Sequence, residues 1–120
     1  MTKAAAHLLV ELTIHNGQLD AFQSVAKEMI AGSQVEAGTL GYEWFLSSDR
    51  KRCRLLESYS SADALLAHFT GPVVQQLVPK MMQHVTLDRF EVYGDPGPKA
   101  AAMLANFGAQ VFEHWEGLNR

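Results

Sequence analysis

Four residues near the middle of the sequence carry side chains that could act together on a small molecule: Tyr42, Trp44, Glu57 and His68. They stand in G-Y-E-W-F (Gly41–Phe45), L-L-E-S-Y-S (Leu55–Ser60) and A-L-L-A-H-F (Ala64–Phe69), with Phe69 directly beside the histidine. An imidazole changes charge near neutral pH and can serve as general base or proton shuttle. Set beside one carboxylate and an aromatic wall, it suits an aromatic, oxidisable small molecule. The same residues also fit a plainer role. His68 would then be a histidine at the core edge, satisfied by a carbonyl or by Glu57, and Tyr42 and Trp44 ordinary core aromatics. The choice turns on whether the chain brings them to one place.

The elements that must do so can be read locally. Two strand-like runs, Thr39–Ser47 and Arg52–Tyr59, flank the polar cluster Ser48-Asp49-Arg50-Lys51, which is a hairpin signal. If Ser47 and Arg52 close the loop, Leu46 faces Cys53, Trp44 faces Leu55, Tyr42 faces Glu57 and Leu40 faces Tyr59. These pairs share one face, apolar or aromatic except for Glu57. The other face holds Glu43, Phe45, Arg52, Arg54 and Leu56, with Glu43 and Arg54 placed for a diagonal ion pair. Ser60 or Ser61 supplies an N-cap, and Ala62–Phe69 reads as a helix. Docked on the first face, that helix would bring His68 over Tyr42, Trp44 and Glu57.

The rest of the chain completes a recognisable order. His7–His15 alternates, with Leu8, Val10, Leu12 and Ile14 as its apolar row. Gln18–Val35 reads as a helix after Asn16-Gly17, with Asn16 as its expected cap. Val73–Met82 continues helically after Gly71-Pro72, with Pro79 as its expected kink or end. His84–Tyr93 is a fourth strand, and Lys99–Ala105 opens a final helix before the aromatic tail. The order β-α-β-β-α-β predicts an α+β, ferredoxin-like fold: a four-stranded antiparallel sheet with helices on one face. Residues 1–95 form the expected domain, and 96–120 a helix/strand extension packing on it or on a partner subunit. The open sheet face would carry Leu9, Phe45 and Leu56, with Leu87 or Phe90 joining them, and so predicts a second copy as partner.

Composition narrows the classes. Apolar residues make up 48% and charged residues 19% of the 120, as in a soluble globular domain. The net charge of −3, with its basic residues scattered, offers no stripe for phosphate backbones, so nucleic acid is not an expected partner. A single cysteine, Cys53, suits a reducing cytoplasm and reads as a buried, inert thiol. Met1–Ala6 leads straight into a strand with no leader-like apolar run, and no membrane segment is expected. Phosphate-loop, dinucleotide, nucleophile-elbow and H-E-x-x-H motifs are missing from the sequence. No metal site is expected either: His7 and Glu11 share a strand face but lie about 13 Å apart.

The quoted segments, with E-A-G-T-L-G-Y-E-W-F at Glu36–Phe45 and F-E-V-Y-G at Phe90–Gly94, resemble the antibiotic-biosynthesis-monooxygenase family. The resemblance implies a dimeric α+β barrel, two sheets packed face to face. It implies, for several members, cofactor-independent oxygenation of quinols or polyketide aromatics. Other relatives degrade haem or act on small signalling molecules. By position, the helix histidine of the quinol-oxidising members corresponds to His68, and the strand aromatics to Tyr42 and Trp44. The haem-degrading branch carries an Asn on its first strand, and His7–His15 has none. The expectation is a monooxygenase that needs no cofactor, with His68 and Glu57 catalytic and Tyr42, Trp44 and Phe69 binding a small aromatic substrate. The alternatives are a non-catalytic dimer binding an aromatic metabolite, or an isomerase or degradative enzyme for a small signalling molecule.

Overall fold

The computed structural model describes residues 4–120; Met1, Thr2 and Lys3, which begin the run read above as lacking a leader, lie outside the described residues. Strand β1 (Ala6–Ile14) buries its apolar row and leaves its odd positions half-buried or exposed, as strict alternation dictates. Gly17, at φ +75°, turns the chain into helix α1 (Leu19–Gln34). Asn16 does not cap that helix. Gln18 occupies the capping position without a side-chain bond to the backbone, its amide oxygen instead accepting from His84 Nδ1 at 2.7 Å. Phe22, Val25, Ala26, Met29 and Ser33 form the face that α1 presses onto the sheet.

Strands β2 (Thr39–Leu46) and β3 (Arg52–Tyr59) form the hairpin in the expected register from Leu46–Cys53 through Tyr42–Glu57 to Gly41–Ser58. The register breaks beyond that point. Thr39, not Leu40, faces Tyr59, because the strand bulges between Thr39 and Gly41. Leu40 is left unpaired and 44% exposed. Arg54 also departs from expectation: it reaches Glu11 of β1 at 3.4 Å, so the cross-sheet neighbour takes the place of Glu43. Ser61 caps α2 (Ala62–Thr70), its hydroxyl accepting from Ala64 N–H at 3.0 Å.

A wide turn of π type (Val73–Leu77) leads into the short helix α3 (Val78–Met81). Pro79 sits in the first turn of α3, which ends two residues later at Met81. In a regular helix its ring would press on the carbonyl four residues back, and the widened turn relieves that contact. Strand β4 (Val85–Gly94) pairs with β1 through a register shift that leaves Asp88 without a partner. Two residues three apart, Leu87 opposite Leu12 and Phe90 opposite Val10, are thereby turned to the same side. Both pack on the core, so neither joins the open face as expected.

Helix α4 (Pro98–Ala105) packs against α2. Gly108, at φ +75°, closes it: its own N–H bonds Ala105 O at 3.0 Å and Ala109 N–H bonds Leu104 O at 3.2 Å. The chain then adds β5 (Gln110–Phe112), parallel to β4. The sheet thus has five strands in the order β2-β3-β1-β4-β5, the four-stranded ferredoxin-like arrangement with one parallel edge strand. One face is covered by helices. On the other, Phe45 and Leu56 stand 48% and 45% exposed, with Leu9 beside them half-buried. No helix of the described residues is long and apolar enough to cross a membrane.

Candidate functional site

The hairpin and α2 meet at a cavity between sheet and helices, and all five residues singled out in the sequence line it: Tyr42, Trp44, Glu57, His68 and Phe69. Alternation on β2 and β3 delivers the first three, since Tyr42 and Trp44 are two apart and Tyr42 is paired with Glu57. The Ser61 cap fixes where α2 begins. That sets His68, nearly two turns on, facing the sheet at 2% exposure. The imidazole is ringed by aromatics, with centroids 5.4 Å from Tyr42, 5.3 Å from Tyr59 and 5.5 Å from Phe69.

Both ring nitrogens face carboxylates. His68 Nδ1–H donates to Glu36 Oε1 at 2.7 Å, and the Thr39 hydroxyl donates to the same oxygen at 2.8 Å. Nε2 lies 3.8 Å from Glu57 Oε1, on the side of the ring where Glu57 also borders the cavity. The Tyr59 hydroxyl donates to Glu57. In the neutral ring, a proton held on Nδ1 by Glu36 puts the lone pair on Nε2.

Burial pushes Glu57 above the ordinary glutamate range, against the opposing pull of His68 and the Tyr59 hydroxyl. Burial, reinforced by the Glu57 charge, also pushes the Tyr42 and Tyr59 phenols up, so both stay neutral. The cavity combines one imidazole, one carboxyl whose burial favours the protonated form, and otherwise apolar or aromatic walls. The Trp44 indole N–H, buried beside it, has no acceptor among the described residues.

Glu36 was not singled out in the sequence, although it opens the Glu36–Phe45 segment. Its only signal is an acid three residues ahead of Thr39 in a tight helix-to-strand connection, and nothing local shows that α2 will meet it. Phe90 and Phe107 also line the cavity. Phe107 comes from beyond α4 and packs edge-on against Phe69 with centroids 6.1 Å apart, so the extension supplies part of the wall. The cavity volume is about 70 Å³, below the roughly 300–1,000 Å³ of most small-ligand pockets.

A family model described as antibiotic biosynthesis monooxygenase matches residues 5–80. No protein of curated function matches the sequence. Among solved structures, MupZ from Pseudomonas fluorescens is 24% identical with a TM-score of 0.80, over 98% of this chain and 96% of that one. A conserved protein from Methanosarcina mazei Go1 is 14% identical with a TM-score of 0.70, over 77% of this chain and 93% of that one. A structure named antibiotic biosynthesis monooxygenase is 20% identical with a TM-score of 0.65, over 78% of this chain and 99% of that one. These overlays establish the fold. The first, covering 98% of the chain, takes in the C-terminal helix and β5 as well.

Proposed function

The chain belongs to the antibiotic biosynthesis monooxygenase family, and from that membership and the site we propose that it oxygenates a small phenolic aromatic, a quinol or polyphenol, with His68 as the base. One observation carries the reading. His68 is held by Glu36 through Nδ1 at 2.7 Å, with Nε2 3.8 Å from Glu57 in a cavity that both residues line among aromatic walls. A phenol bound there loses its proton to Nε2, and the electron-rich phenolate is the species that gives an electron to O₂. The radical pair combines at a ring carbon to give a peroxide. Loss of the hydrogen on that carbon with cleavage of the O–O bond leaves a carbonyl and water. One oxygen atom enters the product, the other leaves as water, and the substrate supplies the electrons. No cofactor takes part in this scheme.

The exposed Phe45 and Leu56, with half-buried Leu9 beside them, support a homodimer closed sheet to sheet. Burial on the order of 2,000 Å² in total is expected for a permanent pair. Sedimentation of a clean monomer at micromolar concentration would contradict it.

Oxygen uptake by metal-stripped protein with a panel of hydroquinones and polyphenols, followed by ¹⁸O₂ labelling of the product, tests the activity. Uptake above autoxidation, with one labelled atom retained and a loss of about 10²–10⁴-fold in His68→Ala, is the expected result. No uptake with any member overturns it. Saturable binding without turnover in either form would instead mark a binder of small aromatic metabolites.

A further inference from the structure

Glu57 is a second ionisable group in the cavity, and the proton transfer described so far does not use it. Among the described residues the only basic group beside it is His68, which already bonds Glu36. Arg54 stands on the other face of the sheet, paired with Glu11. The carboxyl is 6% exposed and takes one hydrogen bond, from Tyr59. A buried carboxylate with no dedicated counter-ion is costly, and holding a proton relieves that cost. The direction in which burial pushes Glu57 agrees.

We infer that Glu57 is the acid of the second half-reaction, delivering a proton to the distal oxygen of the substrate hydroperoxide as the O–O bond breaks. This rests on the oxygenation reading above. His68, protonated by the phenol, first returns that proton to the peroxide anion. As a neutral base again, Nε2 then removes the hydrogen from the oxygen-bearing ring carbon. The C–H electron pair becomes the second bond of the carbonyl, and the O–O pair leaves on the distal oxygen. That oxygen takes the Glu57 proton and departs as water. Nε2–H and the Glu57 carboxylate are then 3.8 Å apart across the cavity edge, and passing one proton restores both. Two groups that a single base could not replace are thereby accounted for: one accepts and the other donates in the same step.

The test compares Glu57→Gln with the wild-type protein on a substrate the wild type turns over. The variant is expected to show the phenolate absorbance of bound substrate and to consume O₂. Its carbonyl product should fall by about 10²-fold or more, with peroxide appearing mole for mole in its place. Carbonyl formation at the wild-type rate without peroxide would overturn the inference while leaving the oxygenation reading standing. Loss of phenolate formation in Glu57→Gln but not in His68→Ala would also overturn it, making Glu57 the base. A wild-type protein without O₂ uptake removes the reading on which it rests. Should Glu57→Gln fail to fold, Tyr59→Phe keeps the acid but removes the group that orients it. Partial diversion to peroxide is then expected, and an unchanged partition overturns the inference.

Discussion

Replacing Gly38 with alanine tests how tightly the hairpin is held against α2, and with it the position of His68. A Cβ built at Gly38 falls 2.3 Å from Ala64 Cβ, 3.1 Å from Ser60 Oγ and 3.4 Å from Ala64 Cα. Carbon atoms settle at about 3.5–4.0 Å, so more than an ångström of separation is missing. Ala64 has no rotamer with which to yield, and it sits in the first turn of α2. Either the helix start or the strand entry must move. Overpacking of this kind costs about 1–3 kcal/mol, and a backbone-limited clash belongs at the upper end. In urea the midpoint should fall with the slope unchanged. The melting temperature should fall by roughly 4 °C for each kcal/mol lost in a chain of this size. Gly38 stands between Glu36 and Thr39, so the movement also strains the 2.7 Å bond from His68 to Glu36. Substrate oxidation should therefore fall even at temperatures where the variant is fully folded. Gly17 is the contrast. It has open space around it but φ +75°, so Gly17→Ala should cost about 1 kcal/mol through backbone strain and leave activity alone. Gly38→Ala within about 0.5 kcal/mol of wild type and with full activity would refute the steric argument.

Three further outcomes are expected. Glu57 is raised in the folded state, so its contribution to stability is full below the unfolded glutamate value of about 4.3 and is lost as pH climbs through the folded value. Glu57→Gln should therefore gain on wild type as pH rises from 4 to 7, and a pH-independent difference in denaturation midpoints would contradict this. Ser61→Ala removes the 3.0 Å bond to Ala64 N–H and should cost about 1 kcal/mol by urea denaturation, with no loss at all counting against the cap. Burial pushes the Cys53 thiol up to about 11. Its reaction with a disulfide reagent at pH 8 should wait on unfolding; rapid modification of native protein would show the strand open.

What the sequence displayed was whatever depends on period and short range. Alternation in Leu8–Ile14 placed β1, and loop length placed Tyr42 opposite Glu57. The serine ahead of Ala62 placed the start of α2. The misses share a cause. A bulge adds one residue without changing composition, so the exposure of Leu40 and the inward turn of both Leu87 and Phe90 left no local mark. Asn16 has the right chemistry for a cap, but the turn at Gly17 and the bond from His84 to Gln18 decide where the helix begins. Pro79 reads as a kink or an end, and only the structure places it in the first turn of α3, behind a widened turn.

Glu36 shows the limit most sharply. Its partner lies 32 positions away, and no periodicity links a residue in a helix-to-strand connection with one on the following helix. The contact exists because two short-range features agree in space. Thr39 pins the Glu36 carboxylate at the entrance to β2, while the Ser61 cap sets the phase of α2 so that His68 turns inward. Changing either would displace one partner and leave the other intact. The imidazole would then lose the bond that keeps its proton on Nδ1, and Nε2 would no longer be bound to act as the acceptor. The chemistry of the site thus depends on the hairpin entry as much as on the histidine, and that entry is where Gly38 allows the two elements to touch.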